Sequence, residues 1–60
     1  MTERELAVVA AMKRYGGSFV KALAEAFTYA DPDNFRILKA SFPDYWRLYE
    51  DAAGRTRPLP

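Results

Sequence analysis

Apolar residues recur every three to four positions over most of this chain, and this spacing places them on one side of an α-helix. No stretch alternates apolar and polar residues in the manner of a half-buried strand. We therefore predict an all-α fold, a single small bundle of three to four short helices. The predicted helical domain comprises residues 1–54. Residues 55–60 lack periodicity and contain two prolines, so we predict a flexible C-terminal tail there.

The first predicted helix comprises Thr2–Tyr15. Thr2 and Glu5 have the spacing of a capping box, in which each side chain accepts a hydrogen bond from the other residue's backbone N–H. Gly16 follows the helix directly. We expect this glycine to end the helix in a left-handed conformation, as C-terminal glycines often do.

The second predicted helix, Ser18–Ala30, is the most apolar segment of the chain. At helical spacing its polar residues occupy one narrow strip formed by Lys21, Glu25 and Thr28. A helix with so narrow a polar strip needs neighbours on at least two sides. We therefore expect it to be buried over most of its circumference in the middle of the bundle, with Ser18 as its N-cap.

Two further helices are predicted on either side of a proline. Asp31 and Pro32 have the preferences of an N-cap and a first helical residue, and this third helix is expected to run to about Ser41. Pro43 then breaks the chain and starts a fourth helix that Gly54 is expected to stop. The residues predicted to be buried in the resulting core are Leu23, Phe27, Phe35, Leu38, Phe42 and Trp46.

The composition disfavours catalysis. A chain of 60 residues forms one domain at most, and this one contains neither cysteine nor histidine, which removes thiolate metal sites and the commonest general base. Capping roles account for Ser18, Asp31 and Asp33, and Ser41 lies near a predicted helix end. We expect no enzymatic activity, no metal and no cofactor. The alternative is a metal-dependent hydrolase that uses Asp31 and Asp33 as its carboxylate pair.

The charge pattern does not resemble that of a nucleic-acid-binding protein, because the net charge is only +1 and such proteins carry a distinct basic stripe. The alternative, a small DNA- or RNA-binding helical protein, would use Arg36, Lys39 and Arg47. No apolar run approaches the roughly 20 residues of a membrane span, and the N-terminus lacks the pattern of a signal peptide. We expect no membrane association and a cytoplasmic location.

The aromatic content points instead to binding of a protein. Four Phe, four Tyr and one Trp are more rings than so small a core readily encloses. The fourth helix carries Tyr45, Leu48, Tyr49 and Ala52 on one side, and tyrosine suits interfaces because its ring packs while its hydroxyl stays hydrated. The expected contacts to a partner protein, or to a second copy in a homodimer, are Ile37, Tyr45, Tyr49 and Tyr29.

Three segments, Tyr15–Leu23, Ala30–Asn34 and Ala40–Trp46, resemble small proteins carried by bacteriophages and prophages. The resemblance covers residues 15–49 and implies a compact helical protein that acts in the cytoplasm of a bacterial host. Small phage proteins of this size often bind and block host machinery, including CRISPR and other defence complexes. The resemblance therefore implies a non-enzymatic inhibitor or adaptor, with a structural or self-assembling phage accessory protein as a further alternative.

Overall fold

The computed structural model describes residues 1–55, which form four helices: α1 (Glu3–Tyr15), α2 (Ser18–Tyr29), α3 (Pro32–Ser41) and α4 (Pro43–Arg55). The described residues contain no strand, and the predicted small all-α bundle is confirmed. Arg55, which the sequence placed in the tail, is part of α4. The remainder of the predicted tail, residues 56–60, lies outside the described part of the chain.

Two of the helix starts follow the predicted capping chemistry. The Thr2 backbone N–H donates to Glu5 Oε1 at 2.9 Å, and the Glu5 backbone N–H donates to Thr2 Oγ1 at 3.1 Å, which completes the capping box. Asp31 accepts a hydrogen bond from the Asn34 backbone N–H at 2.7 Å, with Pro32 as the first residue of α3. These local bonds explain why α1 and α3 begin where the sequence predicts.

The turn between α1 and α2 differs from its prediction. Gly16 has a φ of −74°, so it is extended rather than left-handed. Its small size is needed for another reason: a Cβ at this position would lie 2.5 Å from both the Met12 carbonyl oxygen and Val20 Cγ1. The N-cap of α2 is Gly17, which makes no side-chain capping bond, and Ser18 is the first helical residue. The prediction that Ser18 caps this helix is therefore wrong.

The core lies between α1 and the other helices. Val8 and Met12 of α1 and Phe27 of α2 are the largest fully buried side chains. Around them pack further residues of all four helices, namely Val9, Val20, Leu23, Ala24, Phe35 and Trp46. Helix α1 packs extensively against both α2 and α4, whereas α2 and α4 each touch α3 only briefly. The helix with two extensive packing partners is therefore α1, and the expectation that α2 occupies this position is wrong.

Helix α2 is also less enclosed than predicted. Only four of its residues are buried, Val20, Leu23, Ala24 and Phe27. Phe19 is 55% exposed and Tyr29 is 84% exposed, because only one side of α2 faces a helix that covers it extensively. The apolar residues on its other side are therefore exposed surface.

Most of the predicted core residues are buried, with two exceptions. Leu23, Phe27, Phe35 and Trp46 are buried as expected. Leu38 and Phe42 are only partly buried and pack against the edge of the core. At the other end of the molecule, Gly54 lies inside α4, which continues to Arg55, so the prediction that Gly54 ends this helix is wrong.

Candidate binding surface

Three aromatic rings meet outside the core at the start of α4. Phe19 of α2 lies 5.8 Å from Phe42 and 5.7 Å from Tyr45, measured between ring centroids, and Phe42 lies 6.3 Å from Tyr45. These separations fall within the range of attractive aromatic pairs. We call these three residues the surface aromatic trio. Phe19 is 55% exposed and Tyr45 is 38% exposed, so the rings are ordered against each other without being covered.

The apolar surface continues along α4 into a groove. Leu48 is one turn beyond Tyr45 and is 57% exposed, and residues three apart are neighbours on a helix surface. Leu48 and Ala52 then line a groove of about 320 Å³ whose opposite wall is Tyr15 at the end of α1. Asp51 and Arg55 complete its lining. We call the surface aromatic trio together with this groove the α4 face.

The four residues expected to contact a partner lie in different environments. Tyr45 belongs to the α4 face. Tyr49 is half-buried and packs against the core, so the structure places it beneath this face. Ile37 of α3 is 57% exposed, and Tyr29 at the end of α2 is 84% exposed. Only Tyr45 takes part in the surface trio of rings.

Two components of the α4 face were missed by the sequence analysis. Neither Phe19 nor Tyr15 was among the residues expected to contact a partner. Both are at least half exposed. The signal that could have found them is their position, because each lies at a helix end beside the Gly16–Gly17 turn and connecting segments run over the protein surface.

The basic residues of the nucleic-acid alternative lie on α3 and α4, next to acidic residues or aromatic rings. The Arg36 guanidinium lies 3.2 Å from an Asp33 carboxylate oxygen. Lys39 Nζ lies 4.9 Å from the centroid of the Trp46 ring, a cation–π distance. Lys39 and Arg47 share a shallow groove with Glu50. A carboxylate lies among these cations in each groove that they line, Glu5 with Arg36 and Lys39, and Glu50 with Lys39 and Arg47.

The residues considered for catalysis are exposed and take part in local helix contacts. Asp31 caps α3, and Asp33 pairs with Arg36. Ser18 and Ser41 are the exposed first residue of α2 and last residue of α3. Within residues 1–55, no three His, Cys, Asp or Glu side chains are grouped closely enough to hold a metal ion.

The carboxyl group of Glu5 has a shifted pKa. The Thr2 backbone N–H stabilises the ionised form of Glu5 and holds the pKa of this carboxyl below its ordinary value, and the positive charge of Lys39 acts in the same direction. Glu5 and Lys39 also line a cavity of about 370 Å³ with Phe35 and Arg36. The capping box at the start of α1 therefore accounts for the largest cause of this lowered pKa.

Comparison with known proteins gives no match to a protein-family model, to a curated protein or to a solved structure. Among the described residues, no helix is both long enough and apolar enough to cross a membrane.

Proposed function

We propose that this chain is a non-enzymatic protein-binding module and that it acts as an inhibitor or adaptor through its α4 face. The observation that carries the proposal is the surface aromatic trio, in which Phe19 and Tyr45 stay 55% and 38% exposed although they pack against each other. Rigid, partly exposed aromatic side chains are typical of the centres of protein interfaces.

The preorganisation of these rings supports binding. Phe19 and Tyr45 come from different helices and are held within 6 Å of each other. A side chain already held by its neighbours loses little conformational freedom when a partner covers it. The adjoining groove of about 320 Å³ is lined by Tyr15, Leu48 and Ala52 together with the charged residues Asp51 and Arg55. Protein interfaces usually combine apolar contact area with polar groups at the border.

The partner is proposed from the resemblance to small phage-carried proteins. On that basis the chain is phage-encoded, acts in the bacterial cytoplasm, and binds host machinery such as a defence complex. We propose no catalytic chemistry because the chain contains neither histidine nor cysteine. Such a chain most readily affects a larger complex by binding to its surface.

The proposal can be tested with matched surface variants. Purified tagged chain is used to capture proteins from a bacterial host, each captured protein is identified by mass spectrometry, and binding is then repeated with purified components. We expect Leu48→Asp and Tyr45→Ala to abolish capture with helicity intact. Glu25→Lys, a charge change on the exposed polar strip of α2, is expected to leave capture unchanged.

Two further variants decide where the partner binds. Ile37→Asp and Tyr29→Ala change exposed apolar residues that are not part of the surface trio. Loss of capture in these two variants, with full capture by Leu48→Asp, would overturn the assignment to the α4 face. Failure of the wild-type chain to bind any purified candidate, or turnover of a substrate that Asp33→Ala abolishes, would overturn the proposed function itself.

A further inference from the structure

The α4 face has two ends of opposite shape. At the start of α4 the large rings of the surface aromatic trio lie at the surface, with Phe19 55% exposed beside Tyr45. Two helical turns further on, the small side chain of Ala52 lies in the groove walled by Tyr15. Seven residues separate Tyr45 from Ala52, a distance of about 10 Å along the helix axis. The face therefore has large rings at one end and a groove at the other, on the same side of one helix.

Such a surface can match a copy of itself. Tyr45, Leu48 and Ala52 lie at positions i, i+3 and i+7, the spacing of a seam between two packed helices. When two copies of α4 pair antiparallel about a two-fold axis near Leu48, Tyr45 of each copy faces Ala52 of the other. The aromatic rings of each copy then fill the groove of the other copy. The two contacts are identical, as an isologous dimer interface requires.

The charges at the two ends are also complementary. Asp44 lies in the first turn of α4, at the end that carries the surface trio. Arg55 lies in the last turn and pairs with Asp51 at 2.9 Å, and Arg14 lies over the Tyr15 ring at 5.4 Å. The trio end thus carries the Asp44 carboxylate, whereas the groove end carries two arginines against one carboxylate. Antiparallel pairing brings the ends of opposite charge together.

From this shape, spacing and charge we infer that the α4 face binds a second copy of this chain, forming a two-fold symmetric dimer with antiparallel α4 helices. The inference deepens the proposed function, because it names the protein that covers the same face when no other partner is present. The interface is confined to one helix face and its borders, and small interfaces of this kind are weak. We therefore expect a dissociation constant in the micromolar range, so that another partner can displace the second copy.

The first test is the oligomeric state of the full chain, measured by sedimentation equilibrium from micromolar to millimolar concentration. The wild-type chain is expected to pass from monomer to dimer within that range, and Leu48→Asp is expected to remain monomeric with unchanged helicity. A wild-type chain that remains monomeric at millimolar concentration would overturn the inference, as would a Leu48→Asp variant that still forms the dimer.

Charge reversal tests the antiparallel arrangement separately. Asp44→Arg alone and Arg55→Asp alone each place like charges together and are expected to weaken the dimer about tenfold. The double variant restores opposite charges between copies and is expected to recover dimerisation. A double variant weaker than both single variants would exclude this pairing, since effects on the monomer would not cancel in this way.

Cross-linking gives an independent measure of the geometry. The chain has no cysteine, so Leu48→Cys introduces a single thiol next to the predicted two-fold axis. We expect this variant to form disulfide-linked dimers under mild oxidation much faster than Glu25→Cys, which places the thiol on the exposed strip of α2. Equal rates would contradict the inference.

A monomeric chain that still captures a host protein would leave the proposed function intact, and a dimer that captures nothing would refute that function alone.

Discussion

This molecule contains two sets of three aromatic rings, and α2 and α4 contribute to both. One set is buried, whereas the other is partly exposed. Phe27, Phe35 and Trp46, the core aromatic trio, come from α2, α3 and α4, and their centroids lie 5.0–5.6 Å apart. The surface aromatic trio takes one ring from α2, one from the residue that caps α3 and one from α4, with spacings of 5.7–6.3 Å. The core rings are at most 9% exposed.

The two trios differ in how they pack against α1. Val8, Val9 and Met12 of α1 belong to the same buried cluster as the core trio, whereas Phe19 and Tyr45 of the surface trio stay 55% and 38% exposed. Ring-to-ring packing alone therefore does not make a core. One covering helix therefore decides whether an aromatic cluster is buried in the core or stays partly exposed at the surface.

The largest expected effect separates two aromatic residues of α2. Phe27→Ala removes a ring that is 1% exposed and contacts both other core rings, and such a change typically costs about 3–5 kcal/mol. A domain this small has little stability to lose, so we expect the variant to be largely unfolded in thermal circular dichroism. Tyr29→Ala, at a position 84% exposed, should stay within about 0.5 kcal/mol of the wild type. Equal melting of the two variants would refute the division between core and surface.

The next largest effect on stability concerns Gly16, which lies in the turn between α1 and α2 with no room for a side chain. Gly16→Ala places a Cβ 2.5 Å from the Met12 carbonyl oxygen and Val20 Cγ1, and forcing these groups apart should cost about 1–3 kcal/mol. Gly54→Ala is the matched control, because nothing lies within 4 Å of the added Cβ and alanine stabilises a helix by up to about 1 kcal/mol relative to glycine. We expect melting temperature to fall in the first variant and to rise or stay constant in the second. A lower melting temperature in both variants would contradict the steric effect expected at Gly16.

A smaller effect concerns the start of α1, the helix that covers the core. Thr2→Ala removes the hydroxyl that accepts the Glu5 backbone N–H and should lower the free energy of unfolding by about 0.5–2 kcal/mol. Thr2→Ser retains an oxygen at the same place and should remain close to the wild type. A Thr2→Ala variant as stable as the wild type in chemical denaturation would show that this cap adds nothing to α1.

The smallest effect is a dependence on pH at the same capping box. The pKa of Glu5 is lowered in the folded state, chiefly because the Thr2 backbone N–H donates to its carboxylate. The unfolded chain therefore binds the proton more tightly, and the stabilisation from this group is present above its unfolded pKa and is lost as pH falls through its folded pKa. Melting temperature measured between roughly pH 5 and pH 2 should decline less steeply in Glu5→Gln than in the wild type. Parallel curves of melting temperature against pH for the two proteins would show that the Glu5 carboxyl makes no pH-dependent contribution to stability.

Much of the fold could be predicted from local sequence signals. The capping box at Thr2 and the Asp31–Pro32 start of α3 depend on neighbouring residues only, so the sequence was sufficient to predict them. The buried positions Leu23, Phe27, Phe35 and Trp46 followed from helical periodicity in the same way. These features need no knowledge of how the helices are arranged.

What could not be predicted depends on that arrangement. Phe19 and Phe27 are both apolar residues on the same broad side of α2 when only the helical spacing is considered, yet one is 55% exposed and the other 1%. Periodicity gives the direction of a side chain from its helix axis but not which neighbour reaches it. The same limit explains the errors at Gly16 and Ser18, since the turn there brings Gly16 against both the Met12 carbonyl oxygen of α1 and Val20 Cγ1 of α2. For the candidate site, Tyr45 was named from sequence, but its neighbour Phe19 and the groove residue Tyr15 were not.

The most direct test of the central claim is a paired measurement on Phe19→Asp, which places a charge in the middle of the surface aromatic trio. Melting temperature by circular dichroism and association by sedimentation are measured on the same sample, beside wild type. If the trio is a binding surface, the variant should melt cooperatively within about 8 °C of the wild type, a loss near 1 kcal/mol for a chain of this size, and should no longer associate. An unfolded variant would show that Phe19 belongs to the core, and a folded variant with undiminished association would show that the trio binds nothing.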